Sequence, residues 1–489
     1  MANFLKNAVN NSRILNYFAS PDYSRDSWNE SIFFSVLNFL FNALYSFLNR
    51  LFAKWKHAFD GSFFIKVMEY LADKMHIMVG LCLAVTMLVP HHLWHNEYSV
   101  YLTILLFAVF LLKTMTSAGD GFNLAAADHS AVLFFLVVFM AGATSMFLSE
   151  SLSFIIFYFI CFLTLVVTVS SINSAKQLDT FIKMISAAAF LTAIYGIYQW
   201  KIVGIPVNPL ETDLALSQDL GGRVYSTMGN ANVYGEFLVM TIPFFFALII
   251  NEKTWLKKIL WALLMLPMVL VLLKTGSRAA WGAFAISVLV FLLFWNIRLV
   301  PVFMIIGLVA LPFLPAPIYN RILTIFNPND SSLEFRKKIF DTAVSVLRDY
   351  WVTGVGLGNN AVNLIFNRYK VPGLSVVAHT HIFYIQLWLE TGLLGVLSFL
   401  AMLVRMLKNT FTAMREKGNA GLNNILAASL AAISGLLVIG FVEHVWFFKR
   451  ILLLFWIIAA ILYAALNLAR KEQNETAFEG TNVPAGIRQ

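Results

Sequence analysis

Residues 232–297 read NVYGEFLVMTIPFFFALIINEKTWLKKILWALLMLPMVLVLLKTGSRAAWGAFAISVLVFLLFWNI, and this stretch decides the fold. It holds three apolar runs, residues 232–250, 256–274 and 279–297, which are separated by short polar breaks. A membrane-crossing helix needs about 20 mostly apolar residues, so each run is long enough to cross. The chain of 489 residues shares this character throughout, with 59% hydrophobic and 12% charged residues. Soluble globular proteins hold about 45–50% apolar and about 25% charged residues, so the composition predicts an all-α polytopic membrane protein.

The same pattern recurs along the chain and predicts about twelve transmembrane helices, nine before residue 317 and three after residue 380. The predicted spans are residues 76–94, 98–116, 130–148, 153–172, 181–200, 232–250, 256–274, 279–297, 299–316, 381–404, 422–440 and 451–468. The connections at 94–98 and 148–153 are very short. We therefore expect the helices that they join to be antiparallel neighbours.

Lysine and arginine are distributed unevenly between the two sets of short connecting loops. If both termini are cytoplasmic, the short outside loops hold only Lys274, Arg278, Lys449 and Arg450. The short inside loops then hold eleven basic residues: Lys113, Lys176, Lys183, Lys253, Lys257, Lys258, Arg298, Arg405, Lys408, Arg415 and Lys417. Because cytoplasmic loops carry the excess of Lys and Arg, this bias predicts that both termini are cytoplasmic. Topology thus accounts for the formal net charge of +9, which is no sign of nucleic-acid binding.

The two ends of the chain lie outside the predicted spans. Residues 1–75 carry no cleavable signal pattern and form a cytoplasmic segment. Within it, residues 31–53 carry a polar stripe at helical spacing opposite an apolar face, and basic residues follow. This pattern is typical of a helix that lies in the membrane interface, and a tilted thirteenth span is the alternative. Residues 469–489 form a polar cytoplasmic tail.

Two outside loops are longer than ordinary connections, residues 201–231 and 317–380. The second is a large extracytoplasmic loop between the ninth and tenth spans. It holds a helix-like stretch from Leu333 to Tyr350 and then a glycine-rich turn. Long loops on a rigid scaffold often carry function, so we expect the functional site on this side.

Ionisable residues suited to an anion gather on the predicted outer side. They are Arg223 in the first long loop, Arg278 at an outer turn, Arg336 in the second long loop, and His379 and His381 where the tenth span begins. Arginine binds pyrophosphate through bidentate hydrogen bonds. A histidine at a helix N-terminus is favoured in its neutral, proton-accepting form. The set suits an anionic, lipid-linked substrate. The competing interpretations are that Arg278 is an ordinary interfacial anchor and that the histidines are polar residues of the membrane interface with no catalytic role.

Glu390 follows His381 by nine residues. On a helix this spacing is about two and a half turns and about 13 Å, so the two lie on opposite faces. Glu390 is therefore not expected to orient His381. We expect its carboxylate to find a partner on another helix, with Gly392 nearby allowing close approach. Glu443-His444, at the last outer turn, is a further candidate pair.

Several motifs are absent from the sequence, and their absence reduces the range of reactions that the protein could catalyse. There is no glycine-rich Walker loop, no Asp-x-Asp pair and no Gly-x-Ser-x-Gly elbow. Cys82 and Cys161 lie inside apolar runs and indicate neither a disulfide framework nor a zinc site. His379 and His381 are not a metal motif alone, because residues two apart on a helix face different ways. We expect neither a metal nor a cofactor.

Four motifs between residues 220 and 400 resemble the O-antigen ligase and O-antigen polymerase superfamily. The run AHTHIFYIQLWLETGLLGVLSF, from Ala378 to Phe399, resembles the family signature of a His that opens a membrane helix and a Glu-x-Gly-Leu-Leu-Gly nine residues later. Ile382 stands where the family often has Asn. The other three motifs are RVYSTMGNANVY from Arg223 to Tyr234, Gly276-Ser277-Arg278-Ala279, and Glu334-Phe335-Arg336 followed by Gly354-Val355-Gly356-Leu357-Gly358-Asn359.

The resemblance implies a GT-C-type membrane glycosyltransferase of polysaccharide or lipopolysaccharide biosynthesis in the bacterial cytoplasmic membrane. Such enzymes transfer a glycan from undecaprenyl pyrophosphate to an acceptor hydroxyl on the outer face, with inversion and without metal. On this sequence, His381 would be the general base or would orient the acceptor. Arg278 and Arg336, assisted by Arg223, would bind the pyrophosphate. The residues expected around them are His379, Glu390 and His444.

The acceptor stays open at this point. A polymerase joins one lipid-linked repeat to another, whereas a ligase transfers the finished glycan to lipid A-core or another hydroxyl acceptor. Membrane lipid and other glycan-assembly proteins are further expected partners, and nucleic acid is not. The alternatives are a polytopic transporter of lipid-linked glycan or polysaccharide and a non-catalytic scaffold. A transporter should show a repeated pattern of charges near the bilayer midplane in both halves, whereas these charges crowd one face.

Overall fold

The computed structural model describes residues 27–59, 62–116, 124, 127–207, 221–323, 331–374, 379–416 and 418–481. Within these ranges the regular structure is entirely helical. The first half of the bundle comprises α1 (Ile32–Phe59), α2 (Phe63–Asp73), α3 (Met75–Leu88), α4 (Glu97–Thr116), α5 (His129–Ala143), α6 (Leu148–Ser171) and α7 (Ala175–Tyr198). The second comprises α8 (Ala231–Asn251), α9 (Trp255–Lys274), α10 (Arg278–Trp295), α11 (Leu299–Ala310), α12 (Ala316–Leu323), α13 (Ser331–Tyr350), α14 (Asn359–Tyr369), α15 (Phe383–Arg415), α16 (Ala420–Ile439) and α17 (Lys449–Thr481).

Nine helices in the described part of the chain are long and apolar enough to cross a membrane, so this is a multi-pass membrane protein. Eight of them coincide with predicted spans, and the ninth is the stretch Ile32–Trp55 of α1. The predicted count of twelve is not confirmed. Three predicted spans fall on shorter apolar stretches, Glu97–Leu112, His129–Ala143 and Leu299–Ala310. At 1.5 Å per residue the last two stretches reach only about 18–23 Å, less than the roughly 30 Å of hydrocarbon. Helix α4 as a whole, Glu97–Thr116, has 20 residues and is about 30 Å long.

The fourth missing span, predicted at residues 76–94, corresponds to α3. With the preceding segment Ile65–Leu71 it forms a pair of helices bent by 71°, which would count as a tenth span if it crosses as one unit. Apolar composition alone predicted the right segments, but it could not predict where a helix bends or stops.

The last helix lies at the centre of the bundle. The apolar part of α17 is 94% buried, whereas no residue in the apolar window of α1 is buried. Helix α16 packs closely against both α8 and α10. A Cβ on Gly435 of α16 would lie 2.5 Å from Val239 Cγ1 and 3.1 Å from Ser287 Cβ. Small residues let helix backbones approach in this way inside a membrane, where burial of apolar surface gives no driving force.

Arg405, which was predicted to lie in a loop, is part of the packed helix bundle. Arg405 was predicted in a short inside loop after a span ending at residue 404, but α15 continues to Arg415. Arg405 is buried there, and its Nε and Nη2 donate to Asp128 at 3.0 and 3.1 Å. Asn409 donates to the same carboxylate at 3.0 Å. A bidentate pair of this kind joins the N-terminus of α5 to α15.

The terminal segments and the 317–380 segment contain further helices. Helix α13 coincides with the expected helical stretch of the 317–380 loop. Helix α1 runs through the predicted interfacial segment, and its length and composition also fit the alternative of a span. Helix α17 continues past residue 468 to Thr481, so the start of the predicted tail is helical. Residues 208–220 of the first long loop, 1–26 and 482–489 lie outside the described residues.

Helix α15 is interrupted at Gly392, where the glycine-rich turn enters. Gly392 has φ +67° and ψ −170°, a conformation open essentially to glycine alone. Val355 N donates to Leu389 O at 2.7 Å, and Leu393 N donates to Val352 O at 3.2 Å. The turn thereby satisfies backbone groups that the helix leaves unpaired. A Cβ on Gly392 would lie 2.1 Å from Val352 O, so the backbone of this turn packs directly against the glycine.

Candidate active site

His381 lies in a turn just before α15, whose N-cap is Ile382. The turn is fixed from both sides. Phe383 N donates to Gly440 O at 2.8 Å, at the end of α16, and Thr380 Oγ1 donates to Ile382 O at 3.0 Å. His381 itself adopts a left-handed conformation with φ +56°. The histidine therefore opens the membrane helix as predicted, but its backbone is not helical.

Glu443 joins the histidine to an arginine. It lies in the 440–448 connection between α16 and α17, and its Oε2 is 3.2 Å from His381 Nδ1. Its Oε1 accepts from Arg336 Nη2, also at 3.2 Å. Burial raises the pKa of Glu443, but the His381 hydrogen bond and the positive charge of Arg336 outweigh it and lower the pKa. Glu443 is therefore a carboxylate at neutral pH, held between two basic side chains.

A third contact connects this group to the first long loop. Asn232 Nδ2 donates to Glu443 Oε1 at 3.4 Å, and Asn232 Oδ1 accepts from Arg223 Nη2. Arg223 is buried, and its Nε donates to Thr275 O at 2.7 Å. Arg223, Arg336 and His381, which the sequence placed in separate segments, are thus connected through Asn232 and Glu443.

Arg278 lies close to this network along the chain. It is the first residue of α10, whose N-cap Ser277 accepts from Ala280 N. It is half-buried, and it follows by three residues the Thr275 carbonyl that Arg223 holds. Arg321, which the sequence reading did not select, approaches the same turn with Nε 3.5 Å from Gly276 O. The helix N-terminus and these guanidinium groups make this turn favourable for an anion.

His379 and His444 lie behind His381. The ring centroids of His379 and His381 are 4.2 Å apart, and those of His379 and His444 are 5.8 Å apart. The premise that His379 and His381 face different ways on a helix was wrong, because the segment is a turn. Burial lowers the pKa of His379 to about 4, assisted by the charge of His381. Burial likewise holds the pKa of His444 well below its usual value, so both imidazoles are neutral at neutral pH.

Glu390 is bound by neighbours on its own helix and in the glycine-rich turn. Its Oε1 accepts from Gln386 Nε2 at 2.8 Å on the same helix, and its carboxylate also accepts from the backbone of Gly358. The prediction of a side-chain partner on another helix was wrong, because Gln386 one turn earlier supplies it. Glu390 thus secures the glycine-rich turn against α15, and it does not contact His381.

Sequence reasoning did not select Asn232 and named Glu443 only beside His444. Asn232 stands in the quoted motif RVYSTMGNANVY, which was the available signal. Glu443 is 62 residues from His381, and no local spacing relates them. Among the described residues, no three His, Cys, Asp or Glu side chains are grouped so as to hold a metal ion.

Residues 263–400 match the family model described as O-Antigen ligase. The resemblance of the sequence motifs to the O-antigen ligase and polymerase family is therefore confirmed. The matched segment includes Arg278, Arg336, His379, His381 and Glu390, whereas Arg223 and Glu443 lie outside it. A comparison with curated proteins finds no match for the chain.

Proposed function

With the O-antigen ligase family as the premise, we propose that this protein transfers a glycan from a polyprenyl-pyrophosphate donor, undecaprenyl pyrophosphate in bacteria, to an acceptor hydroxyl. The reaction is a direct displacement at the anomeric carbon. The acceptor oxygen forms the new glycosidic bond, and the bond to the pyrophosphate oxygen breaks with its electron pair. Attack from the face opposite the leaving group inverts the configuration. The support comes from a base candidate and three arginines at one end of a bundle of membrane-crossing helices.

His381 serves as the general base. Its Nδ1 faces the Glu443 carboxylate at 3.2 Å, so the neutral ring keeps its proton on Nδ1 and presents the Nε2 lone pair. Nε2 takes the proton of the acceptor hydroxyl as the oxygen attacks. The carboxylate fixes the tautomer and stabilises the imidazolium that forms, as in an Asp–His pair of a hydrolase. A positioned base contributes about 10²–10⁴-fold to the rate.

The arginines stabilise the leaving group. Expelling the lipid pyrophosphate develops negative charge, which fixed guanidinium groups offset without reorganisation. Arg278 binds it at the N-terminus of α10, where backbone N–H groups add to the attraction. Arg336 approaches from α13 while Glu443 holds one of its nitrogens, and Arg223 orders the turn at Thr275. We expect no divalent metal to be required, and purified protein in excess chelator should keep its rate.

The observation that carries the proposal is the bridge formed by Glu443 between His381 and Arg336. It brings a proton acceptor and an anion-binding group to one place. A transporter of the same glycan needs no base beside its cationic groups. The bridge therefore favours transfer chemistry over transport.

Single substitutions test the assignment. His381→Ala and Arg336→Ala should each abolish glycan transfer by membranes that contain normal amounts of the protein. Arg348→Ala is the matched control, because Arg348 is exposed on the same helix as Arg336 and about 18 Å further along it. Full transfer by His381→Ala would overturn the catalytic assignment. Loss of transfer in Arg348→Ala would show that any charge change in the loop is harmful.

An incubation without any added acceptor distinguishes a polymerase from a ligase. Purified protein incubated with a lipid-pyrophosphate oligosaccharide alone should lengthen the glycan if one donor also serves as the acceptor. A product that appears only after lipid A-core or another hydroxyl acceptor is added identifies a ligase. The family match accommodates both outcomes, and both keep the chemistry at His381.

We place the site on the outer face of the bacterial cytoplasmic membrane, with both termini in the cytoplasm. The excess of Lys and Arg in the connections at the opposite end of the bundle supports this orientation. Cysteine introduced at Arg348 should react with a membrane-impermeant maleimide in intact cells. Cysteine at Lys471, exposed on α17, should react only after permeabilisation. The reverse pattern would contradict the orientation.

A further inference from the structure

The backbone of His381 is held in an unfavourable conformation. Its φ of +56° lies in the left-handed region, which side chains other than glycine seldom adopt. Only one other non-glycine residue in the described ranges, Ser226, has a positive φ. A conformation of this kind persists only where surrounding contacts enforce it, and such residues cluster at functional sites.

The contact to the His381 amide itself comes from His379. His381 N donates a hydrogen bond to His379 Nδ1 at 3.2 Å. The His379 ring is itself fixed by aromatic neighbours, with its centroid 4.5 Å from that of Phe447 and 5.8 Å from that of His444. An imidazole accepts at Nδ1 only in the neutral form with its proton on Nε2. The low pKa of His379, about 4, keeps it in a neutral form at physiological pH.

We propose that His379 is a positioning residue, whose Nδ1 accepts the amide of His381 and holds the left-handed turn that directs the His381 ring to Glu443. The inference rests on the proposed function, in which His381 is the base. Removing the acceptor leaves the amide unpaired and allows the turn to relax to an ordinary conformation. His381 Nδ1 then leaves Glu443, and the base loses its orientation.

Two substitutions separate the hydrogen bond from packing. His379→Phe keeps an aromatic ring against Phe447 and lacks the acceptor. His379→Asn loses the ring but places an amide oxygen close to the position of Nδ1. If His379 only fills space, the Phe variant should be the better tolerated of the two. If it positions His381, the order reverses.

The experiment measures transfer rate and amide exchange on purified, full-length protein in detergent. We expect His379→Phe to lower kcat by about tenfold with an unchanged donor KM, and His379→Asn to stay within about threefold of wild type. In the His381→Ala background, both double variants should be as inactive as His381→Ala itself. Hydrogen–deuterium exchange of the peptide that spans residues 379–386 should speed up in His379→Phe and stay as in wild type in His379→Asn. Should the Phe variant fail to fold, His379→Leu replaces it.

The transfer rate and the amide exchange test the proposed function and the role of His379 separately. If wild type and His381→Ala transfer equally, the proposed function is wrong, and exchange alone still decides whether His379 holds the turn. If His381→Ala is inactive but His379→Phe is as active as wild type, or more active than His379→Asn, the positioning role is overturned. Unchanged exchange in His379→Phe overturns it as well.

Discussion

Replacing Glu443 by glutamine removes one charge and almost no volume, so it probes the electrostatic part of the proposed mechanism. The carboxylate lies 3.2 Å from His381 Nδ1 and 3.2 Å from Arg336 Nη2, with 15% of its side chain exposed. Glutamine can still accept from His381 through its amide oxygen. What it cannot do is stabilise the imidazolium that forms when His381 takes the acceptor proton.

The magnitude follows from this distance. Two unit charges 3.2 Å apart at an effective dielectric constant near 20 attract by about 5 kcal/mol. Partial exposure of His381 and a remaining hydrogen bond reduce the loss to about 3–4 kcal/mol, which corresponds to about 10²–10³-fold in kcat. The KM for the lipid-pyrophosphate donor should not rise, because Arg336 is released from its carboxylate partner and keeps its charge for the phosphate. A fall in kcat with an unchanged or lower KM is the expected signature.

The assay is transfer from a labelled lipid-pyrophosphate oligosaccharide by purified protein, at several donor concentrations. Glu334→Gln is the matched control, since Glu334 is an exposed carboxylate on the helix of Arg336 and pairs with Lys338 at 2.8 Å. The control should stay close to the wild-type rate. The reasoning is refuted if Glu443→Gln keeps more than about a third of the wild-type kcat, which would be worth under about 0.7 kcal/mol. A raised KM at constant kcat would instead make Glu443 a substrate-binding residue.

Three further outcomes are expected. Gly392→Ala should destabilise the protein by about 3–5 kcal/mol, because it strains a glycine-only conformation and breaks two backbone hydrogen bonds. Its midpoint in thermal unfolding should fall well below that of Gly282→Ala, a control whose added Cβ meets no atom within 4 Å; equal midpoints would contradict this packing. Lowering the pH from about 6.5 to about 4 should destabilise the protein, because His379 and His444 take up protons in the unfolded state that burial excludes from the folded state. The expected uptake is about two protons per molecule unfolded, and a midpoint constant over that range would refute it. Arg223→Lys should reduce transfer about tenfold or more, because lysine cannot contact Thr275 and Asn232 together; a wild-type rate would show that charge alone suffices.

The sequence predicted the class of fold and most of the membrane segments, because the apolar runs are long and the breaks between them are charged. The number of spans is not confirmed, because some apolar runs contain a helix end, as at Ala143. It also placed Arg405 in a loop. A lone arginine near the end of an apolar run is a topological anchor or a buried ion pair, and only the fold, which brings Asp128 to it from 277 residues away, decides between them.

The sequence can relate site residues that lie close together along the chain, but not those that only the fold brings together. The separation of His381 from Glu390 was predicted on the premise of one continuous helix, but His381 lies in a turn before α15, so helical geometry does not fix the angle between them. The pairing of His381 with Glu443 was not predictable, since it depends on how the start of α15 meets the connection between α16 and α17. The left-handed turn at His381 was equally hidden, because contacts from Gly440 and His379 impose it against the preference of the residue.

The fate of the donor in proteoliposomes distinguishes glycan transfer from transport most directly. Wild-type protein with an acceptor present should release polyprenyl pyrophosphate in a one-to-one ratio to a new glycosidic bond of inverted configuration. His381→Ala should release none. Movement of intact lipid-linked glycan across the bilayer without release of polyprenyl pyrophosphate would contradict the account and identify a transporter.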